Sequence, residues 1–101
     1  MTLLDLLRTP SAFEHDRWGF ARNQIGHGYI VGGMGALLIG WWILPLYFLW
    51  EVAQEMFYNA QPWDNFEDFA NVLVVCLAVM TANPWFLAVH AVYLVSGWLR
   101  R

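Results

Sequence analysis

The chain of 101 residues contains no lysine, and only five arginines offset eight acidic residues. A net charge of −3 leaves no basic footprint, which excludes nucleic acid as a partner. There is a single cysteine, Cys76, inside an apolar run. It has no internal disulfide partner, and a buried packing role follows. The N-terminus, Met-Thr-Leu-Leu-Asp-Leu-Leu-Arg, lacks a basic n-region and a small-residue cleavage site, so it does not read as a secretory signal. No internal repeat or low-complexity tract occurs. The catalytic inventory is also short. Ser11 and Ser96 have no His–Asp partner at motif spacing, and no glycine loop is built to cradle a phosphate. These absences argue against an enzyme.

Hydrophobic residues fill the space that charge leaves. They make up 59% of the chain, with charged residues at 13% and a mean hydropathy of +0.43. A soluble domain averages about 25% charged and 45–50% apolar residues. Neither 25–50 nor 69–99 contains any Asp, Glu, Lys or Arg. This pattern predicts an all-α integral membrane protein with two transmembrane helices. Residues 1–24 read as an interfacial amphipathic segment: a turn from Thr2 to Arg8, then a Ser11–Glu14 capping box opening a helix that mixes aromatic and charged residues. Residues 25–58 form the first transmembrane helix and its extension, with Pro45 expected to bend it and Glu51, Gln54, Glu55 and Tyr58 on one face. Residues 59–66 read as a loop, where Asp64 or Asn65 can cap the next helix. Residues 67–101 form the second transmembrane helix, kinked at Asn83-Pro84 or split there into a short hairpin. The arginines at both ends of the chain place both termini on the cytoplasmic face of a bacterial inner membrane, with the acidic segment between the runs on the opposite face.

Three groups of residues suggest function. The first is Gly28, Gly32, Ala36 and Gly40, a smooth stripe at four-residue spacing. In lipid, helices associate largely by close packing across small residues. The stripe therefore predicts a small accessory subunit, packed with other transmembrane subunits of a larger complex and with the lipid bilayer. The second is His90, an imidazole in an apolar run with small neighbours Ala88 and Ala91, together with Trp85 near the kink. Seven tryptophans are present. Trp18, Trp50, Trp63 and Trp98 suit interfacial belts, whereas Trp41, Trp42 and Trp85 fall near mid-membrane, where an indole needs a partner. His90 and Trp85 thus form a candidate cofactor site, for lipid, quinone or a chlorin or haem, set against simple packing.

The third group is Asn23-Gln-Ile-Gly-His27, then Trp50-Glu51, then Trp63-Asp64-Asn-Phe-Glu-Asp68. This arrangement resembles the VanZ-like family of small membrane proteins over about residues 23–75. Asn23 stands where that family has an acid and Gln24 where it has a lysine. The resemblance implies that His27, Glu51, Asp64 and Asp68 form a site for a divalent metal or, through it, a lipid headgroup. Asp64 and Asp68 share a helix face, with Asn71 one turn further. One straight helix would hold His27 and Glu51 ~36 Å apart. They can meet only if residues 40–45 make a re-entrant turn or a second subunit supplies one of them.

Overall fold

The computed structural model describes residues 15–58 and 62–101. The Thr2–Arg8 turn and the Ser11–Glu14 capping box lie outside them. All the described elements are helical. Helix α1 (Arg17–Ile25) opens at Asp16, whose Oδ1 accepts a hydrogen bond from the Gly19 amide at 2.9 Å. An acidic side chain there satisfies one of the free N–H groups of the first turn. The path continues without a break through a π-helical segment (Gly26–Met34) and α2 (Gly35–Ile39).

It then reverses. Gly40 has φ 63° and ψ −140°, a conformation that side chains with a Cβ rarely adopt. A 3₁₀ turn (Gly40–Trp42) leads into α3 (Ile43–Tyr58). A Cβ built on Gly35 would lie 2.6 Å from Ile43, and the rings of His27 and Tyr47 are 6.1 Å apart. Twenty residues of straight helix would separate those two by ~30 Å. The stretch Arg17–Phe57 is long and apolar enough to cross a membrane by length and composition, but it is a hairpin and not one straight rod. Pro45 does not cause the bend. It sits in the first turn of α3, where the missing N–H has no intrahelical partner to lose.

A second reversal follows. Helix α4 (Pro62–Thr81) begins at proline, so Asp64 and Asn65 lie in its first turn and not in a preceding loop. It ends in a Schellman arrangement: Ala82 has φ 52°, its N–H donates to Val79 O at 3.3 Å, and Asn83 N–H donates to Ala78 O at 3.2 Å. Asn83 Oδ1 then accepts from Trp85 N–H at 3.1 Å and opens α5 (Trp85–Leu99). Thr81 Oγ1 donates to Leu77 O, so the polar residues at the break serve the backbone. α5 returns alongside α4, bringing Arg100 into an ion pair with Glu67. The run from 69 to 99 is thus a helical hairpin.

The two hairpins pack against each other through the glycine-rich face. A Cβ on Gly32 would come 2.5 Å from the Val72 carbonyl oxygen, and one on Gly28 would come 2.8 Å from His90 Nε2. Ala36 is buried, and Gly40 approaches Met80. α4 of the same chain therefore covers much of the stripe that suggested an external partner. At the other end, Phe20 presses on Gly97, Trp18 and Trp98 meet edge to face at 4.7 Å, and the Arg101 guanidinium lies 3.7 Å over the Phe20 ring. These contacts gather the charged residues of α1, α3, α4 and α5 at one end of the molecule. The acidic segment and the arginines, expected on opposite faces, meet there.

Burial is inverted. Among the described residues, the largest class of buried side chains is polar: Asn23, Gln24, His27, Glu51, Gln54, Asp64, Asn65, Asp68, Asn71 and His90. The exposed ones include Leu37, Leu38, Trp42, Phe48, Leu49, Trp85, Val92 and Leu99.

A buried polar cluster

The cluster lies where α1, the π segment, α3 and α4 converge at the charged end. Asp68 and Asn71, one turn apart on α4, face Gln24 of α1. Gln24 Nε2 donates to Asp68 Oδ1 at 2.8 Å and to Asn23 Oδ1 at 3.1 Å. Gln24 Oε1 accepts from Asn71 Nδ2 at 2.7 Å, and the same amide donates to Glu67 O at 2.9 Å. His27 follows Gln24 by three residues, so its ring reaches the same neighbourhood. Its Nδ1 lies 2.8 Å from Asn23 O, and a carbonyl oxygen can only accept. The proton is therefore on Nδ1, which leaves Nε2 as an acceptor 3.7 Å from Asp68 Oδ2. Glu51 enters from α3 and is anchored through its backbone, since Asn65 Nδ2 donates to Glu51 O at 3.0 Å. Glu51 and Tyr47 are near enough to feel the charge of Asp68.

Burial pushes the Asp68 carboxyl well above the usual carboxylate range. The Gln24 hydrogen bond opposes this, and the nearby Asp64 and Glu67 charges add to it. Several buried atoms in or beside the cluster have no hydrogen-bond partner among the described residues: Tyr47 Oη, Glu51 Oε1, Gln54 Oε1, Asn65 Oδ1, Asp68 Oδ2 and Asn71 Oδ1. Each such atom costs ~1–3 kcal/mol when left dry. Asn71 also lines a cleft of about 350 Å³ between α4 and α5, with Trp63, Phe66, Tyr93 and Arg100.

The residues expected from sequence are distributed as follows. His27 and Asp68 are in contact, and Glu51 is beside them because residues 40–42 provide the required turn. Asp64 is buried one turn before Asp68. Among the described residues, no three His, Cys, Asp or Glu side chains are placed to hold a metal ion. His90 is buried, with the Gln24 backbone nearby. Its Nε2 faces Gly28, and Tyr29 stacks edge to face at 5.3 Å. That leaves no room for a planar macrocycle at this nitrogen. Trp85 is 77% exposed at the far tip and does not share a site with His90. The reading from sequence did not include Tyr47 in the cluster, and it noted Gln24 only as a departure from a family pattern. Two signals were available: Gln24 three residues before His27, and a glycine at position 40 in the middle of an apolar run.

Comparison with family models, with curated proteins and with solved structures finds no match.

Proposed function

We propose that this chain is a small membrane-embedded binding protein. Its two helical hairpins enter the bilayer from one face, and its polar cluster binds the headgroup of an amphiphile at that face. The observation that carries the reading is the unpartnered set of buried polar atoms around Asp68, inside a molecule whose outer surface is apolar. A polar interior of this kind is costly next to hydrocarbon and marks a functional site by default. The return of His27, Glu51 and Asp68 to one place supports a shared polar site built from hydrogen-bonding groups. The accessory-subunit reading draws on the same apolar exterior, but its glycine stripe faces α4.

The test is to purify the full chain from membranes in mild detergent and identify what it retains by native mass spectrometry. An amphiphile held by the wild type and lost from Asp68→Asn supports the reading. An empty wild-type chain, or equal retention by the variant, overturns it.

A further inference from the structure

The proposed headgroup site has a definite donor and acceptor character, which identifies its ligand class. The unpartnered atoms are almost all acceptors. Gln54 Oε1, Asn65 Oδ1 and Asn71 Oδ1 can only accept; Glu51 Oε1 and Asp68 Oδ2 accept once their carboxyls are ionised, as a bound cation would make them, and the Tyr47 hydroxyl can also donate. His27 Nε2 is an acceptor as well, because Nδ1 holds the proton. The amide orientations follow from their contacts. Asn65 Nδ2 is engaged by Glu51 O, and Asn71 Nδ2 by Gln24 and Glu67 O, which turns both oxygens to the unpartnered side. Among the described residues, neither Glu51 nor Asp68 is paired with an arginine, and both are at least nine-tenths buried.

We infer that this site takes a primary ammonium group, with its N–H bonds directed at Asp68, Glu51 and the neighbouring amide oxygens. The inference rests on the headgroup-binding reading above. A phosphate or carboxylate would add acceptors to acceptors and negative charge beside two acids. A quaternary ammonium would supply charge but no N–H to satisfy the oxygens. A primary ammonium supplies three donors, and its positive charge favours the ionised form of the two carboxyls that burial otherwise holds neutral. The cleft that shares Asn71 offers aromatic walls for the remainder of an amphiphile.

The group can belong to an aminoethyl lipid headgroup or to a free amine. The full chain is reconstituted in phosphatidylglycerol nanodiscs carrying either phosphatidylethanolamine or phosphatidylcholine, and the lipid retained on transfer to detergent is counted by native mass spectrometry. A parallel arm titrates free ethanolamine and follows the melting temperature. Phosphatidylethanolamine should be retained over phosphatidylcholine by about tenfold, a difference of ~1.4 kcal/mol. Asp68→Asn and Glu51→Gln should each lose that preference, whereas Trp85→Phe, at the far tip, should keep it. Stabilisation by ethanolamine with no lipid preference would assign the amine to a soluble ligand. Equal retention of the two lipids with no ethanolamine effect, or preference for phosphatidylglycerol, overturns the ammonium assignment and leaves headgroup binding standing. Retention of no lipid and no amine overturns both. The comparison of lipids on the wild type needs no variant, so a misfolded Asp68→Asn does not obscure the outcome.

Discussion

Asp68 joins α4 to the cluster through Gln24 and His27. Its neighbours by element are Gln24 on α1, His27 on the π segment, Tyr47 and Glu51 on α3, and Asp64 and Glu67 on α4 itself, with Arg100 of α5 paired to Glu67. Its carboxyl is held above the usual range, chiefly by burial. The fold therefore favours the protonated form and takes up a proton relative to the unfolded chain. The resulting stability is fully present below the ordinary carboxylate range and is lost as pH rises through the raised value. Each tenfold difference in proton affinity between the two states is about 1.4 kcal/mol. Asp68→Asn removes this dependence, so its melting temperature in detergent should vary less with pH than that of the wild type. The gap should favour the variant most at alkaline pH. A variant whose melting temperature falls with pH as steeply as the wild type's would show that another group carries the slope.

Glycine at 32 makes a second prediction at the same scale. A methyl there would meet the Val72 carbonyl at 2.5 Å, and that oxygen belongs to helix backbone that cannot rotate away. At Gly33 the nearest atom is a Val75 methyl at 3.3 Å, on a side chain that can yield. Gly32→Ala should lower stability by ~1–3 kcal/mol, and Gly33→Ala by clearly less, in thermal or denaturant melts. Equal effects would mean that the two hairpins do not approach as closely as described. The four-residue spacing was visible in the sequence, and the close packing it implied is present. What one sequence leaves open is which surface packs there, because an intrachain helix and a foreign one present the same apolar face.

At the scale of elements, the two reversals decide everything else. Each apolar run is long enough to be read as one crossing, and hydropathy alone cannot tell a rod from a hairpin. Asn83-Pro84 announced its break because Asn caps and Pro starts a helix. Gly40 gave a weaker signal, being one glycine among several in an apolar run, so a turn at residues 40–45 entered only as a condition for His27 and Glu51 to meet. Pro45 drew attention away from it, although in a first turn a proline is neutral. Reading the run as one helix bent at Pro45 kept His27 apart from Glu51 unless that turn formed. The α4–α5 turn can be tested directly. Ala82 occupies the left-handed position of a Schellman cap, where a Cβ costs ~1 kcal/mol and glycine is usual. Ala82→Gly should relieve that strain, partly offset by the greater freedom of the unfolded chain. A gain of up to ~1 kcal/mol in melts is expected. A loss would indicate that the alanine methyl contributes packing at the tip.

At the scale of the whole molecule, two hairpins with their charges at one end constrain how the protein can meet a membrane. The uncharged layer is thin: on α4 it runs from Phe69 to Thr81, ~20 Å of helix against a hydrocarbon thickness of ~30 Å. Burying the charged end instead would place Arg17, Arg22, Glu55, Arg100 and the other charges in lipid, at several kcal/mol each by the lower estimates. The tips carry Leu37, Leu38, Trp42 and Trp85, all more than 70% exposed. On the membrane-embedded reading proposed above, they are the parts that enter first. The same reading keeps the C-terminal end of α3 on the face where α1 begins and α5 ends. Cys76 is replaced by Ala so that a new thiol reports alone, and cysteine is then introduced at Met56, at Trp18 or at Leu38. In sealed vesicles, an impermeant maleimide should label positions 56 and 18 from the same side. Position 38 should be protected from that side. Labelling of 56 and 18 from opposite sides would restore a single straight crossing between them. It would also separate His27 from Glu51 and dissolve the site, so the topology and the binding reading stand or fall on one measurement.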